Sequence, residues 1–147
     1  MKEKNSIYKF VQWCSPQELH KACLNWISNL EFIRDEQVFL NDVIKNYTLD
    51  LLTDELYQKT VQLSNQLQQE EKQITMLLDK LQVHRNGLML MLDGVDQIEQ
   101  EKKYREDHFQ LKMEIASYEF DYRCTKKEIF DLVAFMFKQR KPKQLKE

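Results

Sequence analysis

Two glycines and two prolines in 147 residues leave this chain very few places to turn. Tight turns draw on glycine for left-handed backbone and on proline to break regular structure, and all-β chains need such signals about every 8–12 residues. Four such residues cannot punctuate a β-sandwich or a barrel. Long helices remain. The composition agrees: 31% of the residues are charged and 42% are hydrophobic, too apolar for a disordered chain and well suited to amphipathic helices.

The apolar residues follow a four-three rhythm along three stretches. Ser15-Pro16-Gln17-Glu18 reads as a helix start, with Ser15 as cap, Pro16 at the first helical position and Glu18 closing a capping box. From there Leu19, Cys23, Trp26, Leu30, Ile33, Gln37, Leu40, Ile44 and Tyr47 form a heptad seam. A second cap at Thr53-Asp54-Glu55 opens the seam Leu56, Thr60, Leu63, Leu67, Glu70, Ile74, Leu77, Leu81, His84, Leu88, Met91. The third seam is Tyr104, His108, Leu111, Ile115, Tyr118, Tyr122, Thr125, Ile129, Leu132, Met136, with Pro142 expected to stop it.

The second turn has two placements. Asp93-Gly94 is a stop and Asp96-x-x-Glu99 a fresh start, yet the rhythm runs on through Val95 and Ile98, so the turn can also lie within Glu99–Asp107. The coinciding stop and start favour Gly94. Asn86-Gly87 is a weaker turn signal inside the second helix. The expected fold is all-α: an elongated antiparallel three-helix bundle with coiled-coil-like packing, its helices at 15–48, 54–92 and 97–138. Residues 1–14 form an appendage docking through Ile7, Phe10, Val11 and Trp13, either as a short helix or extended, and 139–147 form a basic, flexible tail.

Several function classes drop out. A net charge of −2 gives no overall field toward nucleic acid or membrane. The longest apolar runs, Leu88–Leu92 and Leu132–Phe137, fall far short of the roughly 20 residues of a spanning helix. The N-terminal residues lack the apolar core of an export signal. Cys14, Cys23 and Cys124 are odd in number and not at metal spacing, so they read as reduced thiols in a cytoplasmic protein. There is no Glu-x-x-His pair, zinc-type helix, phosphate-binding glycine loop or nucleophile elbow. No catalytic residue and no cofactor are expected, and a non-enzymatic role is favoured.

Some residues still carry chemical meaning. In an up-down-up layout, facing residues of the first two helices sum to about 101 and those of the last two to about 190. That brings His20, His84 and His108 to one level, where three imidazoles can hold zinc, form a pH-sensitive layer, or simply be satisfied by neighbours. Glu70 falls near Glu31 and Phe120, with Arg34 and Arg123 a turn away, so a register-setting Glu–Arg pair is expected. Gln37 reads as a second register residue. The terminal run Lys138–Glu147 carries a local charge of +4, suited either to an anionic partner or to plain solvation.

Apolar residues also fall outside the seams: Phe32, Val38, Phe39 and Val43 in the first long helix, and Phe109, Phe120, Phe130, Phe135 and Phe137 in the third. They either flank the core or mark a face for a second chain. On the second reading Phe32, Phe39, Phe130 and Phe137 are the interaction residues. The function expected is a helical interaction or scaffold module, its partner another protein or a second copy in a homodimer. A metal- or pH-responsive bundle and an anion-binding tail are the alternatives.

The runs WISNLEFIRDEQVFLNDVI and HRNGLMLMLDGVDQIEQEKKYREDHFQL resemble uncharacterised small, soluble, all-helical bacterial proteins. In architecture the chain is similar to spectrin-type three-helix coiled coils, with longer helices. Neither resemblance implies an activity.

Overall fold

The computed structural model describes residues 2–48, 54–92 and 98–145, with side chains at 6–47, 55–89 and 98–138. They form four helices: α1 (Lys2–Trp13), α2 (Pro16–Thr48), α3 (Asp54–Leu92) and α4 (Ile98–Leu145). The chain is all-α, with α2, α3 and α4 packed antiparallel in succession, so α2 and α4 run the same way. At 1.5 Å per residue the 48-residue α4 is about 72 Å long.

Local chemistry explains the start of α2. Ser15 Oγ accepts the Glu18 backbone N–H at 3.2 Å, and the Ser15 carbonyl accepts that of Leu19 at 3.0 Å. These bonds satisfy donors that a helix start otherwise leaves open. The caps expected at Thr53 and Asp96 and the stop at Asp93-Gly94 lie outside the described residues. α3 ends at Leu92 and α4 begins at Ile98, so the alternative stretch Glu99–Asp107 is helical. Gly87 sits inside α3, where a Cβ would meet the Tyr104 ring at 3.8 Å, an ordinary contact.

The expected end at Lys138 is incorrect: α4 runs on to Leu145, past Pro142. Proline removes one N–H donor, but the neighbouring Gln, Arg and Lys residues favour helix, and the turn persists. Residues 139–145 are therefore helical.

The four-three seams form the core. Leu30 and Leu40 of α2, Leu67, Ile74 and Leu81 of α3, and Ile129 of α4 are completely buried. Each such side chain contributes roughly 1.5–3 kcal/mol by leaving water. α3 packs along both α2 and α4, whereas α2 and α4 meet less extensively.

A second cluster closes one end. Val11 and Cys14 pack with Leu19, Leu88, Tyr104 and Phe109, and the Tyr8 ring meets Phe109 edge-on at 5.3 Å. Phe109, outside the strict seam, is thus buried by α1, which is a helix rather than an extended strand. No glycine follows Trp13 to cap α1. Instead Arg105 of α4 donates through Nη1 to the carbonyls of Val11, Gln12 and Cys14 at 3.0, 3.2 and 2.7 Å. A cation at a helix C-terminus satisfies stranded acceptors and complements the helix dipole. Glu101 steadies the guanidinium at 3.1 Å. Arg105→Ala is expected to free α1: its amides exchange at least about ten-fold faster by hydrogen-exchange mass spectrometry, while those of α3 stay protected, because charged hydrogen bonds of this kind contribute about 1.5–3 kcal/mol.

Candidate functional site

Mid-bundle, a chain of polar groups crosses the core. Gln37 Nε2 donates to Tyr118 Oη at 2.7 Å, and that hydroxyl donates to the Glu70 carbonyl at 2.8 Å. Thr125 Oγ1 donates to Glu70 Oε1 at 2.5 Å. Gln37 and Thr125 are completely buried. Gln37 Oε1 and Glu70 Oε2 are buried without a partner. Burial pushes the Glu70 carboxyl above its ordinary range, against the pull of the Thr125 hydrogen bond, and Asp121 pushes it the same way. The expected Glu–Arg pair is absent among the described residues: Arg34 and Arg123 are exposed, and Arg123 Nε turns to the Glu119 carbonyl. Their long cationic stems reach water more cheaply than the core.

Toward the α1 end, His84 Nε2 and His108 Nδ1 lie 2.9 Å apart, a hydrogen bond between two buried imidazoles. Tyr104 stacks on His84 at 4.0 Å, and Trp26 tilts against His108 at 4.6 Å. Burial holds both imidazoles well below their ordinary pKa. Asp107 opposes this at His84, whereas His84, Lys112 and Arg105 reinforce it at His108. Both rings are therefore neutral, one donating and one accepting. His20 is half-buried, and its Nδ1 has no partner. Among the described residues no group of three or more His, Cys, Asp or Glu side chains is placed to hold a metal ion, His20, His84 and His108 included. The Cys14 and Cys23 thiols are both pushed up by burial, and Cys23 donates to the Leu81 carbonyl at 3.8 Å. Neither is an activated nucleophile.

A groove of about 470 Å³ opens between α3 and α4 beside His84, with Asp79, Val83, Asp107, Gln110 and Glu114 in its walls. Lys80 and Glu114 pair across it at 3.1 Å. It joins charged surface groups to one edge of the histidine pair but brings no nucleophile and base together.

The remaining feature lies on the α2–α4 side. Lys126 Nζ meets Glu36 Oε2 at 2.9 Å, and Tyr122 Oη donates to Glu36 Oε1 at 2.6 Å. Burial pushes the Glu36 carboxyl up, but the Tyr122 and Lys126 contacts outweigh it, and the net shift is downward. Residues three, four and seven positions from a helical residue share its face. Phe32, Phe39 and Val43 stand in that relation to Glu36; Phe130 and Arg123 do so to Lys126, and Phe137 lies two turns beyond Phe130. Phe137 also touches Tyr47 edge-on at 5.1 Å. Yet Phe32, Phe39, Phe130 and Phe137 are 67, 57, 44 and 49% exposed, and Phe120 is 62% exposed. Phe32, Phe39, Phe130 and Phe137 thus stand open on the α2–α4 side, and Phe135, 45% exposed, is a further open ring.

No family model, curated protein or solved structure matches the chain. Among the described residues, no helix is long and apolar enough to cross a membrane.

Two titration experiments follow from the buried groups. Each histidine is neutral in the folded chain but takes up a proton below about pH 6.5 once unfolded. The folded state then binds fewer protons, so stability falls as the pH drops. Between pH 7.5 and 5, urea unfolding is expected to lose up to about 2 kcal/mol for each ring, and a chain carrying both His84→Phe and His108→Leu to lose most of that slope. Glu70 has the opposite sign: its raised pKa makes the ionised form costly at high pH. Glu70→Gln is expected to stabilise the fold by about 1 kcal/mol at pH 8, a gain that shrinks at pH 5.

Proposed function

We propose that this chain is a non-enzymatic helical interaction module that engages another protein through the exposed seam between α2 and α4. One observation carries the reading: Phe32, Phe39, Phe130 and Phe137, 44–67% exposed, flank the Glu36–Lys126 contact on a bundle whose seam residues are buried or partly buried. A patch of this kind on a folded chain marks an interaction site. The unbroken four-three spacing supports an elongated, coiled-coil-like scaffold that presents the face on two parallel helices. The free thiols, two of them buried and pushed up, fit a reducing, cytoplasmic setting.

The histidine pair supports a second role, as a pH-responsive element inside the same bundle. Two neutral imidazoles sharing a hydrogen bond cannot both take protons without breaking it.

The interaction face is tested by replacing Phe32, Phe39 and Phe130 with serine. Because these rings are half-exposed, the melting temperature is expected to change by only a few degrees. Binding of an apolar fluorescent dye, strong in the natural chain, is expected to drop several-fold. A variant that unfolds, or natural protein that binds no dye and shows no association, overturns the reading.

A further inference from the structure

Resting on the pH-responsive reading of the histidine pair, we infer that proton uptake by His84 and His108 undocks α1, so that the N-terminal helix is the part of the chain that answers to acid. The cause lies in α4. Arg105 stands three residues before His108 and Lys112 four after it, so the three share one face of the helix. Both flanking cations are fasteners of α1. Arg105 holds the Val11, Gln12 and Cys14 carbonyls, and the Lys112 ammonium stands over the Phe10 ring, 5.1 Å from its centre. A proton on His108 therefore puts a third positive charge between the two that hold α1 down.

The pair also borders the seat of α1. Tyr104 stacks on His84 and belongs to the cluster that buries Val11 and Cys14. Leu88, one turn beyond His84, and Phe109, next to His108, belong to the same cluster. A shift of either imidazole is thus felt directly beneath α1.

The surrounding charges set the order of events. Asp107 favours the proton at His84, which also lines the α3–α4 groove with Asp79, Lys80 and Glu114. Arg105, steadied by Glu101, and Lys112 both disfavour a proton on His108. α2 turns Trp26 to His108 and the Cys23 thiol, near Arg85, toward Tyr104, while its Glu18 bears on Cys14. α1 turns the uncharged Tyr8 ring to Phe109. The first proton accordingly goes to His84, whose Nε2 can still donate to His108. The second breaks that bond, since two imidazoliums have no acceptor between them. It leaves His108 charged, desolvated and flanked by two cations. Swinging Arg105 and Lys112 into water relieves the repulsion and removes both holds on α1. A 12-residue helix is marginal by itself, whereas the middle of the bundle keeps its leucines and its polar chain. Undocking takes up protons, so it is promoted as the pH falls below about 6.5, and α1 stays docked above that.

The test is hydrogen-exchange mass spectrometry of the full chain at pH 7.5 and 5.5, with rates corrected for the intrinsic pH dependence of amide exchange. The opening of α1 is expected to rise about ten-fold in acid, reversibly, while α3 amides between Leu63 and Leu77 keep their protection. In a chain carrying both His84→Phe and His108→Leu, checked for folding by circular dichroism, α1 is expected to open equally at both pH values. Val11→Ser loosens α1 without touching the pair and gives the reciprocal readout: by linkage, both imidazoles are expected to titrate by NMR nearer their ordinary value than in the natural chain. Equal α1 protection at both pH values overturns the coupling. The pH-responsive reading then stands if urea stability of the natural chain still falls toward pH 5, and falls with it if that slope is absent. Loss of protection in α1 and α3 together, or a folded double variant whose α1 still opens in acid, also overturns it. Should the double variant not fold, an unchanged titration in Val11→Ser overturns it instead.

Discussion

The Gln37–Tyr118–Glu70–Thr125 chain is the part of the core that cannot be moved. Leucine seams are periodic, so sliding one helix by seven residues returns nearly every apolar contact. A buried amide facing a phenol, and a buried carboxyl facing a hydroxyl, occur once each. Slipping them leaves polar groups stranded away from water, where their desolvation is uncompensated. One register follows, and other placements depend on it. It sets His84 against His108, brings Glu36 to Tyr122 and Lys126, and stands Arg105 beneath the last carbonyls of α1. The incomplete satisfaction of Gln37 and Glu70 shows that this specificity carries a cost in stability.

Much of this architecture was legible in the residues. Long four-three patterns fix helix identity because only a 3.5–3.6 period keeps them on one face, and the Ser15 start has an unambiguous capping pattern. The facing-residue arithmetic placed His84 beside His108 to within about half a turn. It could not say which way His20 projects, since a residue beside a seam can turn inward or outward. Tyr118 and Thr125 read as plain seam members, and their hydroxyls proved to be the partners of Gln37 and Glu70. Polar partners depend on side-chain reach across helices, which periodicity does not encode. The Arg105 clasp had only a negative sign, the lack of a glycine after Trp13. Pro142 misled because its average cost was read as a certain stop.

The exposed phenylalanines show the other limit. Hydrophobicity marked Phe32, Phe39, Phe130 and Phe137 as outside the narrow stripe but could not choose between a broadened core and an open face. That choice depends on how closely α2 and α4 approach. On their open side Glu36 of α2 meets Lys126 and Tyr122 of α4, and this polar contact leaves the flanking rings uncovered. The bundle is therefore asymmetric: α3 is shared by both neighbours, while the opposite side stays open.

The three thiols are unequal in a way that has a practical use. Cys14 and Cys23 are buried and resist ionisation, whereas Cys124 stands in solvent next to Arg123 on α4. Toward an alkylating reagent the native chain thus behaves as though it had a single cysteine. That residue sits one position from Arg123, which shares a face of α4 with Lys126 and Phe130. Nature has left a labelling position there, and a spectroscopic probe can be attached without altering the sequence.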